Sequence, residues 1–218
     1  MRLFLALIPS EDSLDLLEKW QSRFRAESPL GRPVNRDHLH LTLAFDGRAT
    51  PESLQKYLRE GERLHRTMTG KEAIAAPSLA FDTRSVPGLG LVTFAPDFPL
   101  WKSLDESPVF PGGDAFWPHI TLFRKFFPKE PAVRPIEESP PFSFSRLSLI
   151  ESRLFSEGSR YFAKHNWPFP RSPLATQKPS GAFPERDEAG SPPGTTGSEM
   201  TEDRDIGPDR PADAGGNP

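Results

Sequence analysis

Apolar residues in the first 170 positions fall into short runs of two kinds. Leu3 to Ile8 is an unbroken apolar run ended by Pro9, the pattern of a buried strand. Ser10 is placed to cap a helix, with Glu11 and Asp12 in the first turn, where the helix dipole favours acids. Leu14, Leu17, Trp20 and Phe24 then recur at helical spacing, which predicts a helix over 11–26. Pro29, Gly31 and Pro33 mark a loop. From His38 to Phe45 the period changes to two. Leu39, Leu41, Leu43 and Phe45 fall on one face, and His38, His40, Thr42 and Ala44 on the other. Thr50-Pro51 opens a second helix carrying Leu54, Tyr57, Leu58 and Leu64.

After Gly70 the pattern predicts strands at 72–83 and 89–95, split by Pro87-Gly88, and a short helix around Leu100, Trp101 and Leu104. A strand follows over 116–123, and two more at 142–151 and 160–166, joined by Glu157-Gly158. Helices interspersed with strands and hairpins make this an α+β body. The pattern stops near position 170. Residues 171–218 hold 8 Pro and 7 Gly among 48 residues, with Phe183 the only aromatic. Such a segment cannot bury enough apolar surface to offset the entropy of ordering. We expect a folded domain at 1–170 and a disordered tail at 171–218.

Charge narrows the class of partner. The chain carries a net −3 and the tail −4, which leaves the body at +1. A long polyanion lying along one face is not indicated, whereas a short anionic ligand held by a few placed cations is. The chain has no cysteine, which removes disulfides, thiol nucleophiles and thiolate metal sites. The Leu3–Ile8 run is too short for a signal-peptide core, and no stretch approaches membrane-span length. A soluble, cytoplasmic, monomeric protein is the expectation.

The candidate chemistry lies in an internal echo. His40-Leu41-Thr42-Leu43 and His119-Ile120-Thr121-Leu122 are one pattern written twice, 79 positions apart, each in a strand. Random placement of 5 His and 11 Thr gives about 0.25 occurrences of His-x-Thr. Alternation puts each His and its Thr on one strand face. Two such strands, facing each other, would offer two imidazoles and two hydroxyls around one space. Imidazole titrates near neutrality, so one ring can donate a proton while the other accepts one. Threonine hydroxyls can donate to the non-bridging oxygens of a phosphate. This is a set of groups for attack of water on phosphorus without a metal or cofactor. His38 shares a face with His40, as a metal-binding His-x-His pair would require, but no acidic cluster nearby completes a ligand set. His65 and His165 read as surface or packing residues.

On these motifs the chain resembles the 2H phosphoesterase superfamily, and within it the RNA 2′,3′-cyclic phosphodiesterases first described as 2′-5′ RNA ligases. Met1–Leu7, His38–Gly47, Phe116–Arg124 and Leu149–Tyr161 carry the likeness, the last with Ser152, Leu154, Gly158 and Tyr161 in register. It covers about 1–168. The resemblance implies a bilobal fold, with two pseudo-twofold-related antiparallel sheets, outer helices and a central cleft. It implies that His40 protonates the leaving ribose oxygen, that His119 activates water, and that Thr42, Thr121 and Arg124 hold the phosphate.

Two departures stand out. Simple alternation puts Arg124 on the face opposite His119, so a bulge or strand end must redirect it. Gly31-Arg32-Pro33-Val34 lacks the tryptophan expected before Val34. The expected substrate is an RNA with a 2′,3′-cyclic phosphate end, a short oligonucleotide or a cyclic nucleotide, opened to a 2′-phosphate. The alternatives are 2′-5′ RNA ligation at the same site, or a non-catalytic module that binds RNA ends or nucleotides. The composition of 171–218 makes one prediction: a chain ending at Pro170 keeps its melting temperature within about 2 °C and its full activity. A larger loss in either measurement would mean that the tail is a structural or binding element.

Overall fold

The computed structural model describes residues 1–70, 73–74, 79–95, 104, 109, 118–137, 141–156 and 158–170. The tail expected at 171–218 lies outside the described residues, as do most of the helix expected near Leu104 and residues 116–117. Leu104 itself is helical and buried.

The strands are β1 (Arg2–Pro9), β2 (Arg32–Pro33), β3 (Leu41–Asp46), β4 (Ala73–Ile74), β5 (Leu79–Asp82), β6 (Gly88–Phe94), β7 (His119–Phe126), β8 (Val133–Pro135), β9 (Phe142–Phe155) and β10 (Gly158–Pro168). The helices are α1 (Glu11–Phe24) and α2 (Pro51–Met68). Both helices start where the sequence places them. The Ser10 hydroxyl accepts from the Ser13 N–H and that of Thr50 from the Ser53 N–H, each satisfying a donor that the first turn leaves open.

Every strand pairing is antiparallel, and the main path runs β10-β9-β1-β3-β7-β6-β5-β8. Two four-stranded halves, β10-β9-β1-β3 and β7-β6-β5-β8, meet among the described residues at one paired position, Leu41 opposite Ile120. The two expected sheets are therefore one open sheet with a narrow waist.

The helices cover one face only. Leu3, Leu5 and Leu7 of β1 and Leu147 and Leu149 of β9 point into that layer with Leu14, Leu17 and Trp20 of α1, all buried. In the second half, Phe24 stacks on Phe81 with centroids 3.9 Å apart, and Phe81 meets Phe126 edge-on. The other face holds the small cluster Phe4, Ala6, Ile150, Ile8 and Tyr161. No helix among the described residues is long and apolar enough to cross a membrane.

The first motif strand departs from the pattern drawn from sequence. His38 ends a short 3-10 turn, Arg36–His38, and the ladder begins only at Leu41. On β1, Leu5 pairs with Ala44 and Ala6 with Thr42, so Leu43 is an extra residue in a bulge. The bulge reverses the alternation beyond it. Ala44 turns into the core at 3% exposure, and Phe45 turns out at 43%, the reverse of the expected faces.

Tight packing between α2 and β10 sets up opposed effects at Gly61. A Cβ there would stand 2.2 Å from Cη2 of Trp167, whose ring is buried and held by Nε1 donating to Glu62. Helix propensity alone favours alanine over glycine by about 1 kcal/mol, while overpacking costs about 1–3 kcal/mol. Steric cost should win, so Gly61→Ala is expected to lower the urea midpoint. A raised midpoint would show that Trp167 can give way.

Candidate active site

The waist pairing places the two motifs. With Leu41 opposite Ile120 in an antiparallel ladder, His40 falls opposite Thr121 and Thr42 opposite His119. All four side chains share the face away from the helices, because Leu41 and Ile120 between them are fully buried in the core. The two histidines are diagonal neighbours, a placement that spaces Cβ atoms about 7–8 Å apart or less. The motifs match residue for residue in burial. His40 and His119 are half-buried, Leu41 and Ile120 buried, Thr42 and Thr121 half-buried, Leu43–Ala44 and Leu122–Phe123 buried, and Phe45 and Arg124 exposed.

The match extends to backbone irregularity. On β6, Gly90 pairs with Phe123 and Leu91 with Thr121, so Leu122 is an extra residue in β7 just as Leu43 is in β3. This bulge answers the problem that alternation raises for Arg124. It turns Phe123 into the core and Arg124 to the histidine face. A second extra residue, Lys125, takes φ 52° and returns Phe126 to the core.

His40 is enclosed by aromatic rings. Phe4 lies 5.1 Å from its centroid and Tyr161 5.7 Å in an edge-on contact, while His38 packs on Tyr161 at 4.7 Å. Its Nδ1 is 2.6 Å from the His38 carbonyl oxygen. That oxygen only accepts, so Nδ1 carries a proton and Nε2 is left for the cleft. Removal from water pushes the ring's pKa down to about 4; the His38 carbonyl opposes this, and His38, His119 and Arg124 add cationic repulsion. An anion between the rings would reverse the balance. His65 and His165 lie elsewhere, His65 bonded to the Pro168 carbonyl and His165 packed on Trp167.

The family description LigT like Phosphoesterase matches residues 8–74, which include the first motif. An RNA 2′,3′-cyclic phosphodiesterase of Thermus thermophilus is 31% identical over 173 residues, covering 74% of this chain and 86% of that protein. The chain belongs to the LigT-like phosphoesterase family. A crystal structure of TT0787 from Thermus thermophilus superposes at TM-score 0.54 and 26% identity, covering 78% of this chain and 98% of that one. The E. coli LigT complexed with 3′-AMP gives 0.52 at 25%, with the same coverage.

One residue that positions the site of this LigT-like phosphoesterase escapes sequence reasoning. Gln21 of α1 is buried, and its side-chain amide donates to the carbonyls of Val34 (2.8 Å) and Leu122 (2.9 Å). The Val34 N–H also donates to Leu122. Gln21 thus fastens the helix to the bulge that turns Arg124 outward. A signal was available: Gln21 is the polar position in the apolar stripe of Leu14, Leu17 and Phe24. Gln21→Met keeps the volume and strips the Val34 carbonyl of that partner. The Val34 carbonyl is only half-buried, so the loss is that of ordinary hydrogen bonds, about 0.5–1.5 kcal/mol each, and denaturant unfolding should show a destabilisation of that order. An unchanged midpoint would mean that the bulge stands without Gln21.

Proposed function

We propose that this chain hydrolyses 2′,3′-cyclic phosphate ends of RNA to 2′-phosphates by acid–base catalysis from His40 and His119, without a metal ion. The observation that carries the reading is the twofold match across the Leu41–Ile120 pair, which sets two imidazoles and two hydroxyls around one space. The Thermus relative bears the name of this activity.

In this reading a cyclic phosphate lies between the rings. Thr42 and Thr121 donate to its non-bridging oxygens, and the Arg124 guanidinium neutralises its charge. A water oxygen attacks phosphorus in line with the bond to the ribose 3′ oxygen. His119 takes the proton from water as the new P–O bond forms. His40 gives its proton to the 3′ oxygen as that bond breaks, leaving a 2′-phosphate and a 3′-hydroxyl. The Nδ1 bond to the His38 carbonyl supports Nε2 as the nitrogen that gives the proton. The ring resists protonation in the empty site, at a pKa of about 4, and the bound phosphate raises it.

The test combines substitution with pH. General acid and base contributions are about 10²–10⁴-fold each, so His40→Ala and His119→Ala should each lower kcat at least about 10²-fold while circular dichroism stays native. A better leaving group should rescue His40→Ala and not His119→Ala. The pH profiles should be bell-shaped, since one ring must be charged and the other neutral. The profile of kcat/KM reports the free enzyme, where the His40 ring is depressed, so its optimum should lie acid to that of kcat. Full activity in either variant would contradict the proposal.

A further inference from the structure

The cleft face stops being symmetric beyond the threonines. Phe45 and Arg124 occupy equivalent places, five residues after His40 and His119, each exposed beyond a matching bulge. At these equivalent places one end of the cleft carries an arginine and the other an aromatic ring. Phe45 is 43% exposed, and the Arg2 guanidinium carbon lies 5.5 Å from its centroid. Phe45 pairs across the ladder with Phe4, whose ring touches His40, so it belongs to the cleft face. Arg2 precedes Phe4 by two residues and shares that face.

Position adds to chemistry. From Leu41 to Phe45, discounting the bulged Leu43, are three strand steps, about 10 Å. That span suits a nucleoside whose phosphate sits at the waist. Bases stack on aromatic rings and on guanidinium planes, and a guanidinium fork matches phosphate oxygens. Two further arginine–phenylalanine pairs, Arg153 with Phe162 and Arg160 with Phe155, sit at the end of the β9–β10 hairpin. Tyr161 reaches the cleft from between Arg160 and Phe162, so those pairs face the other way.

We infer that Phe45 and Arg2 form a nucleotide subsite, in which Phe45 stacks the terminal base and Arg2 holds the phosphodiester on its 5′ side. The inference rests on the phosphodiesterase reading and narrows its substrate to an oligoribonucleotide end, in preference to a cyclic mononucleotide. It also gives the cleft a direction, with the nucleoside on the Phe45 side of the phosphate and Arg124 on the far side.

The test compares a cyclic mononucleotide with a dinucleotide ending in the same cyclic nucleoside, across a salt series. The full chain should favour the dinucleotide at least about tenfold in kcat/KM, as one phosphate contact and its ordering allow. Arg2→Met should remove most of that ratio and flatten the salt dependence for the dinucleotide by about 0.7 in log–log slope. Arg2→Lys should keep part of both. Phe45→Leu should lower kcat/KM about tenfold or more on both substrates, because each presents a base. Arg160→Met, on the opposite face, should leave the ratio as it is. A ratio near one in the full chain, or an unchanged ratio in Arg2→Met, overturns the subsite. Turnover of neither substrate overturns the phosphodiesterase reading itself.

Discussion

The pairing of Leu41 with Ile120 is the constraint on which the site depends. Among the described residues it is the one ladder position joining the two four-stranded halves. Both residues are fully buried, so the core beneath the sheet fixes the register from below. A slip of one residue would send both leucine-type side chains to the cleft and both histidines into the core. Burial of apolar surface thus enforces the alignment of the polar groups on the opposite face. The flanking bulges then repeat the local geometry on either side, at Leu43 and at Leu122.

Much of this was legible in the sequence. The doubled His-x-Thr-Leu pattern named His40, Thr42, His119 and Thr121, because period two is a direct record of which face a side chain takes. Capping residues located both helices for a similar reason: Ser10 and Thr50 do local work that local sequence reports. What stayed hidden depends on partners remote in sequence. Alternation misplaced Ala44 and Phe45, because nothing local marks Leu43 as an extra residue. The same irregularity at Leu122 brings Arg124 to the cleft, which alternation alone forbids. Gln21 reaches a carbonyl 101 residues away, a contact no window of sequence could reveal. The single waist pair, which turns two expected sheets into one, belongs to this class too.

Symmetry supplies the paired histidines, but chemistry on an asymmetric substrate needs the halves to differ. The surroundings of His40 are one place to look for that difference. Phe4, Tyr161 and His38 crowd His40 and keep it uncharged in the empty site. Five residues beyond each histidine, one half presents Phe45 and the other Arg124. A ring that resists protonation in the empty site, and equivalent positions that hold an aromatic ring in one half and an arginine in the other, together make the two halves unequal.

In the proposed reaction two imidazoles on one sheet face open a cyclic phosphate with water and no metal. The most direct measurement is phosphorus NMR of a short RNA ending in a 2′,3′-cyclic phosphate, incubated with the full chain in EDTA and oxygen-18-labelled water. Two-histidine hydrolysis predicts conversion to a single 2′-phosphate carrying one labelled oxygen. A 3′-phosphate product, or turnover that appears only when a divalent metal is restored, would contradict it.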